Sequence, residues 1–99
     1  EDKHEVISPD CFRMNGKESI PVNLKLSLMA KNLLIEEYPL SARDLTYEDG
    51  YWWLRTNVKS MAGVGRFYLG LSDQIEILDS PKLESYIKRR VRKDLAKFI

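Results

Sequence analysis

The Asp49-Gly50 dipeptide and the YWWLRTNV stretch after it constrain this chain more than any other feature. Asp-Gly tolerates the positive φ values of a two-residue hairpin turn, so it should join two antiparallel strands. Neighbouring side chains in a strand point to opposite faces. Trp52 and Trp53 must therefore lie on opposite sides of whatever sheet forms. Trp52 keeps step with Leu54, Thr56 and Val58, the more apolar set, and is expected under the helices. Trp53 falls in with Tyr51, Arg55 and Asn57 and is expected on a face without helices.

The sequence on either side supplies the partners of this hairpin. VNLKLSL alternates, with Val22, Leu24, Leu26 and Leu28 on one side and Asn23, Lys25 and Ser27 on the other, which predicts a half-buried strand. Ala30, Leu33, Leu34 and Glu37 follow at helical spacing, and Pro39 ends that helix after Tyr38. ARDLTYE reads as the strand entering the turn. SMAGVGRFYLGL reads as a helix with Met61, Val64, Phe67, Tyr68 and Leu71 on one arc, although each glycine weakens a helix by about 1 kcal/mol relative to alanine. QIEIL is a short fourth strand. Ser80 is placed to cap, and Pro81 to open, a last helix whose Leu83, Ile87, Val91, Leu95 and Phe98 share an arc of roughly 120°. The order β-α-β-β-α-β plus a C-terminal helix predicts an α+β, ferredoxin-like split sheet with both crossover helices on one face. The last helix then either folds over the other face or leaves it open as a binding surface.

Residues 1–21 read as a connector, punctuated by Pro9, Asn15-Gly16 and Pro21, and residues 22–99 as the domain. The apolar pieces Val6-Ile7 and Phe12 are able to dock. With 99 residues, 43% of them hydrophobic and 31% charged, the composition is that of one small globular domain. Net charge of +1 supplies no global field toward nucleic acid or membrane. The single cysteine, Cys11, excludes an internal disulfide and a cysteine-based zinc site, and in its polar stretch reads as an ordinary thiol in a cytoplasmic protein. No apolar run approaches the roughly 18 residues of a membrane helix, and the N-terminus is no signal peptide. A start on Glu1 suggests a segment of a longer protein.

From Val22 onward, the succession VNLKLS, YPLS, DGYWWLRTNV, GVGRFYLGL and IEILDSPKLESYIKRRV resembles the C-terminal extension (WCX) domain of WYL-domain bacterial transcription regulators. GRFYLGL paired with IEILDSPKL carries most of that resemblance, and CFRMNG looks like the segment joining the extension to a preceding domain. The resemblance implies a helix-turn-helix and a WYL barrel in the same protein. It also implies a role in sensing an effector, in some cases single-stranded nucleic acid, and in supporting dimerisation. Neither the W-Y-L tripeptide nor a helix-turn-helix occurs here, and YWWL belongs to the hairpin.

For chemistry, the residues point away from catalysis. His4 is the only histidine and sits in the connector, while Glu36-Glu37 and Glu48-Asp49 lie at a helix end and a turn rather than in the split environments acid–base work needs. Metal-ligand spacing is absent, and no cofactor is expected. Three constellations remain. Arg66 lies near Gly63 and Gly70 on the helical wheel, so its guanidinium could meet an anion at close range, or it is simply exposed. Its match to the family's RF position favours function. Trp53, Tyr51 and Arg55 on one sheet face suit base stacking, or are covered by the last helix or a neighbouring barrel. Lys88, Arg89, Arg92 and Lys93, extended by Lys97, form either a phosphate-contacting stripe or a solvated helix end.

The expected function is a non-catalytic regulatory module in which Arg66 holds an anionic effector, Trp53 stacks or packs, and the basic helix steers. A pure oligomerisation element is the alternative. A stand-alone single-strand-binding domain fits less well, because the aromatic strand signature of that class is missing.

Overall fold

The computed structural model describes residues 10–98, so His4 and Val6-Ile7 lie outside the described residues. Its elements are β1 (Ile20–Leu26), α1 (Leu28–Glu37), a 3-10 segment (Pro39–Asp44), β2 (Leu45–Glu48), β3 (Tyr51–Val58), α2 (Met61–Gly70), β4 (Ile75–Leu78), α3 (Pro81–Leu95) and a last 3-10 turn (Ala96–Phe98). The strands form one antiparallel sheet in the order β2-β3-β1-β4. This is the interleaved order of a ferredoxin-like sheet, here with an added C-terminal helix.

The tightest signal was local, and it holds. Asp49 and Gly50 take φ of 54° and 82°, the paired positive values of the expected turn. Leu24 pairs with Leu54, and Val22, Leu26 and Val58 are buried with them beneath the helices. β4 pairs only with Asn23–Leu26, so Pro21, further back on β1, has no neighbour on that side to deprive of a hydrogen bond.

Several expectations are corrected. Leu28 does not continue the strand: the Ser27 hydroxyl accepts the Ala30 N–H at 3.2 Å, starts α1, and leaves Leu28 62% exposed. The strand expected over ARDLTYE begins only at Leu45, because the chain after Pro39 winds into a 3-10 turn in which Ser41 N–H bonds to the Tyr38 carbonyl. Ser80 sits at the N-cap position of α3, yet its hydroxyl makes no cap bond. It donates to the Leu78 carbonyl at 2.7 Å and accepts the Asn23 N–H at 2.8 Å, tying β4 to β1. The apolar arc of α3 is buried only at Leu83 and Ile87; Val91, Leu95 and Phe98 run out into solvent, the last 86% exposed.

The segment read as a connector is built into the core from residue 10 onward. Cys11 and Phe12 are both about 1% exposed. Phe12 meets Tyr38 edge-on at 5.0 Å and Phe67 at 6.2 Å, an aromatic cluster worth more than its area alone. The Asp10 carboxylate accepts the N–H groups of Phe12, Met14 and Lys59 at 2.7–2.9 Å, stitching this segment to the residue between β3 and α2. Arg13 reaches the Glu37 carbonyl at the end of α1. Glycine makes the fit available. A Cβ on Gly63 would lie 2.8 Å from that of Phe12, and one on Gly65 would lie 2.5 Å from the Tyr86 ring. Two of the glycines that looked like breakers of α2, Gly63 and Gly65, are where the N-terminal segment and α3 press against it.

Candidate functional site

The face away from the helices carries Lys25 and Asn23 of β1, Tyr51, Trp53 and Arg55 of β3, Thr46 and Glu48 of β2, and Glu76 of β4, as the alternation and register require. α3 packs beside α2 on the opposite side and does not cover this face. Trp53 is half-buried, its indole N–H donating to the Glu48 carbonyl at 3.0 Å. Two cations bracket the ring: Lys25 Nζ lies 5.6 Å, and the Arg55 guanidinium carbon 5.5 Å, from its centroid. Lys25 stands closer to Tyr51, at 4.0 Å. Arg55 also lies 3.7 Å from the Glu48 carboxylate and donates to the Thr46 hydroxyl.

Trp52 is turned the other way, as its neighbours Leu54 and Val58 implied. It packs on the edge of the core, 5.2 Å from the Tyr47 ring, with Lys31 Nζ 4.5 Å from its centroid. Both indoles are thus partly wet, and each has an ammonium over its ring.

The expected site residues fall on two sides of the molecule. Tyr51, Trp53 and Arg55 share the open face. Arg66 is exposed on α2, behind the sheet, where it lines a cleft of about 140 Å³ with Tyr86, Arg90 and Asp94. Lys88, Arg89, Arg92 and Lys93 are exposed along α3. Arg66 and Trp53 therefore lie on two separate surfaces, one behind the sheet and one on its open face. The glycine face proposed for anion approach is also closed at one end: Gly63 already faces Phe12 and Met14, whereas Gly70 opens to solvent.

Residues missed from the sequence are Lys25, Lys31, Glu48 and Arg90. Lys25 was visible as a polar position of the alternating strand, but only its register with Trp53 gives it a role. Glu36, Glu37, Glu48 and Asp49 are exposed on the surface. Cys11 has its pKa pushed up to about 11, chiefly by burial and in smaller part by the Asp10 and Asp44 carboxylates, against a lowering hydrogen bond with Thr56. At neutral pH it is a protonated thiol. Among the described residues, no three metal-ligating side chains cluster, and no helix is long and apolar enough to cross a membrane. No family model, curated protein or solved structure matches this chain.

Proposed function

We propose that this chain is a non-catalytic regulatory module, the C-terminal extension of a bacterial, cytoplasmic WYL-type helix-turn-helix regulator, and that it docks through its open sheet face onto protein. The occupant is the barrel of its own or a partner subunit, as the sequence resemblance implies. One observation carries the docking: Trp53 is pinned in place on a face that no helix of the described residues covers, flanked by Tyr51 and Arg55. Tryptophan, tyrosine and arginine are the residues that most often anchor protein interfaces. The face is also balanced in charge. Arg55 is matched by Glu48, and Lys25 stands beside Glu76 in the sheet register, so a polyphosphate gains little there.

A second reading has its own support. Arg66 shares the cleft between α2 and α3 with Arg90, which lies 3.5 Å from the Asp94 carboxylate, so Arg66 is the cation placed to meet an anionic effector there. Effector binding regulates only through unequal affinity for two arrangements of the subunits.

Sedimentation equilibrium tests both surfaces, with the chain alone and with a WYL-type barrel supplied in trans. Docking predicts association that Trp53→Ser abolishes without loss of folding. Association that is absent in the wild type, or equal in the variant, overturns it. An Arg66→Ala chain should associate normally while losing affinity for nucleotide probes.

A further inference from the structure

The open face ends in a shallow cleft of about 220 Å³ between the end of β1 and the start of β4, lined by Lys25, Ser27, Tyr51, Asp73 and Glu76 among others. Its charges are unequal. With Arg55 drawn to Glu48, Lys25 is, among the described residues, the one cation lining the cleft, together with two carboxylates, Asp73 and Glu76. Among the described residues its aromatic wall is Tyr51, and the face of that ring already holds an ammonium: Lys25 Nζ lies 4.0 Å from the Tyr51 centroid and 5.6 Å from that of Trp53, which stands beside the cleft on the same sheet face. Aromatic faces attract cations through the ring quadrupole, and the carboxylates at the rim repel phosphate.

We infer that this cleft is a site for an organic cation, a guanidinium or alkylammonium group carried by the protein partner, and that Lys25 is a tethered stand-in which the partner displaces. The inference rests on the docking reading above and names the chemistry of its anchor. A partner arginine is the better occupant, because its guanidinium is planar, more weakly hydrated than an ammonium and able to stack on Tyr51 while pairing with Asp73 or Glu76. Lys25, once displaced, remains long enough to stay over Trp53 or to swing into solvent. The device also makes the free surface self-protecting: with Lys25 in place, the exposed face of Tyr51 is occupied.

The test uses the Trp53 indole N–H resonance as a local reporter in this 99-residue chain. The probes are butylguanidinium and butylammonium as free cations, the capped tripeptide Gly-Arg-Gly as a side-chain source, and a ten-nucleotide oligothymidylate as the opposite charge. Lys25→Met should tighten the guanidinium probes by about tenfold, the scale of one unplugged cation–π contact with its charge repulsion removed. Lys31→Met, which removes the same charge from the other side of the sheet, should leave them unchanged. Tyr51→Ala in the Lys25→Met background should return the affinity to its starting value. A tripeptide that binds more tightly than butylguanidinium assigns the site to a protein partner; equal affinity of the two leaves a cation site without that partner. Failure of every cation probe to move the Trp53 signal in Lys25→Met overturns the inference, as does oligothymidylate binding that Lys25→Met abolishes. Neither failure touches the docking reading, which the sedimentation of Trp53→Ser decides.

Discussion

Replacing Ser80 separates two roles that one residue could play at the start of α3. As an N-cap, serine would cost about 1 kcal/mol when changed to alanine and only a few tenths when changed to glycine. The structure gives it another task. Its hydroxyl, about 1% exposed, sits between the Leu78 carbonyl at 2.7 Å and the Asn23 N–H at 2.8 Å. Removing it strands a donor and an acceptor in a place where water is poorly admitted, and each buried unpaired group costs about 1–3 kcal/mol. Partial relaxation of both partners brings the total to about 2–3 kcal/mol. Ser80→Gly should lose at least as much as Ser80→Ala, because glycine restores neither bond and adds backbone freedom. For a domain of this size that loss lowers the melting temperature by roughly 10–20 °C. Urea unfolding of the two variants beside wild type, with unchanged m-values, is the measurement. A glycine variant that recovers most of the stability lost by alanine would refute the bridging role and restore the cap.

Two further outcomes follow from the packing. The Cys11 thiol has a folded-state pKa of about 11 against an ordinary 9.0, so the folded protein keeps its proton where the unfolded chain has lost it. Stability from this group is complete below about pH 9 and falls as the pH rises toward 11, by about 3 kcal/mol in total, and Cys11→Ala should flatten that slope in urea melts at pH 8 and 10.5. Gly65→Ala forces a methyl to within 2.5 Å of the Tyr86 ring and should destabilise by about 1–3 kcal/mol, whereas Gly70→Ala meets nothing within 4 Å and should be neutral or gain up to about 1 kcal/mol; equal effects of the two in thermal melts would contradict the close approach of α3.

What could be read from the residues alone was whatever depends on near neighbours in the chain. The alternation of β3 separated Trp52 from Trp53, and Asp49-Gly50 located the turn, because strand period and turn geometry are local properties. The fate of Phe12 was not local. An isolated aromatic among polar residues shows no period, and its burial depends on the flat patch at Gly63 and on Tyr38, which are distant in sequence. Ser80 misled for the same reason: Ser-Pro before a helix matches a cap, and only the neighbouring strand reveals the bridge. At the candidate site, Tyr51, Trp53 and Arg55 were legible as one face, but Lys25 joins them through a pairing across many residues, and Arg66 was assigned to their company without a register to place it.

The stitch at Asp10 has a mechanical consequence. Its carboxylate is bolted to the backbone of Lys59, the link at which the strand bearing Trp53 passes into the helix bearing Arg66. Tension on the polypeptide ahead of Asp10 would therefore arrive first at this elbow, levering α2 against the end of β3. The two exposed surfaces, though back to back, would feel the same tug.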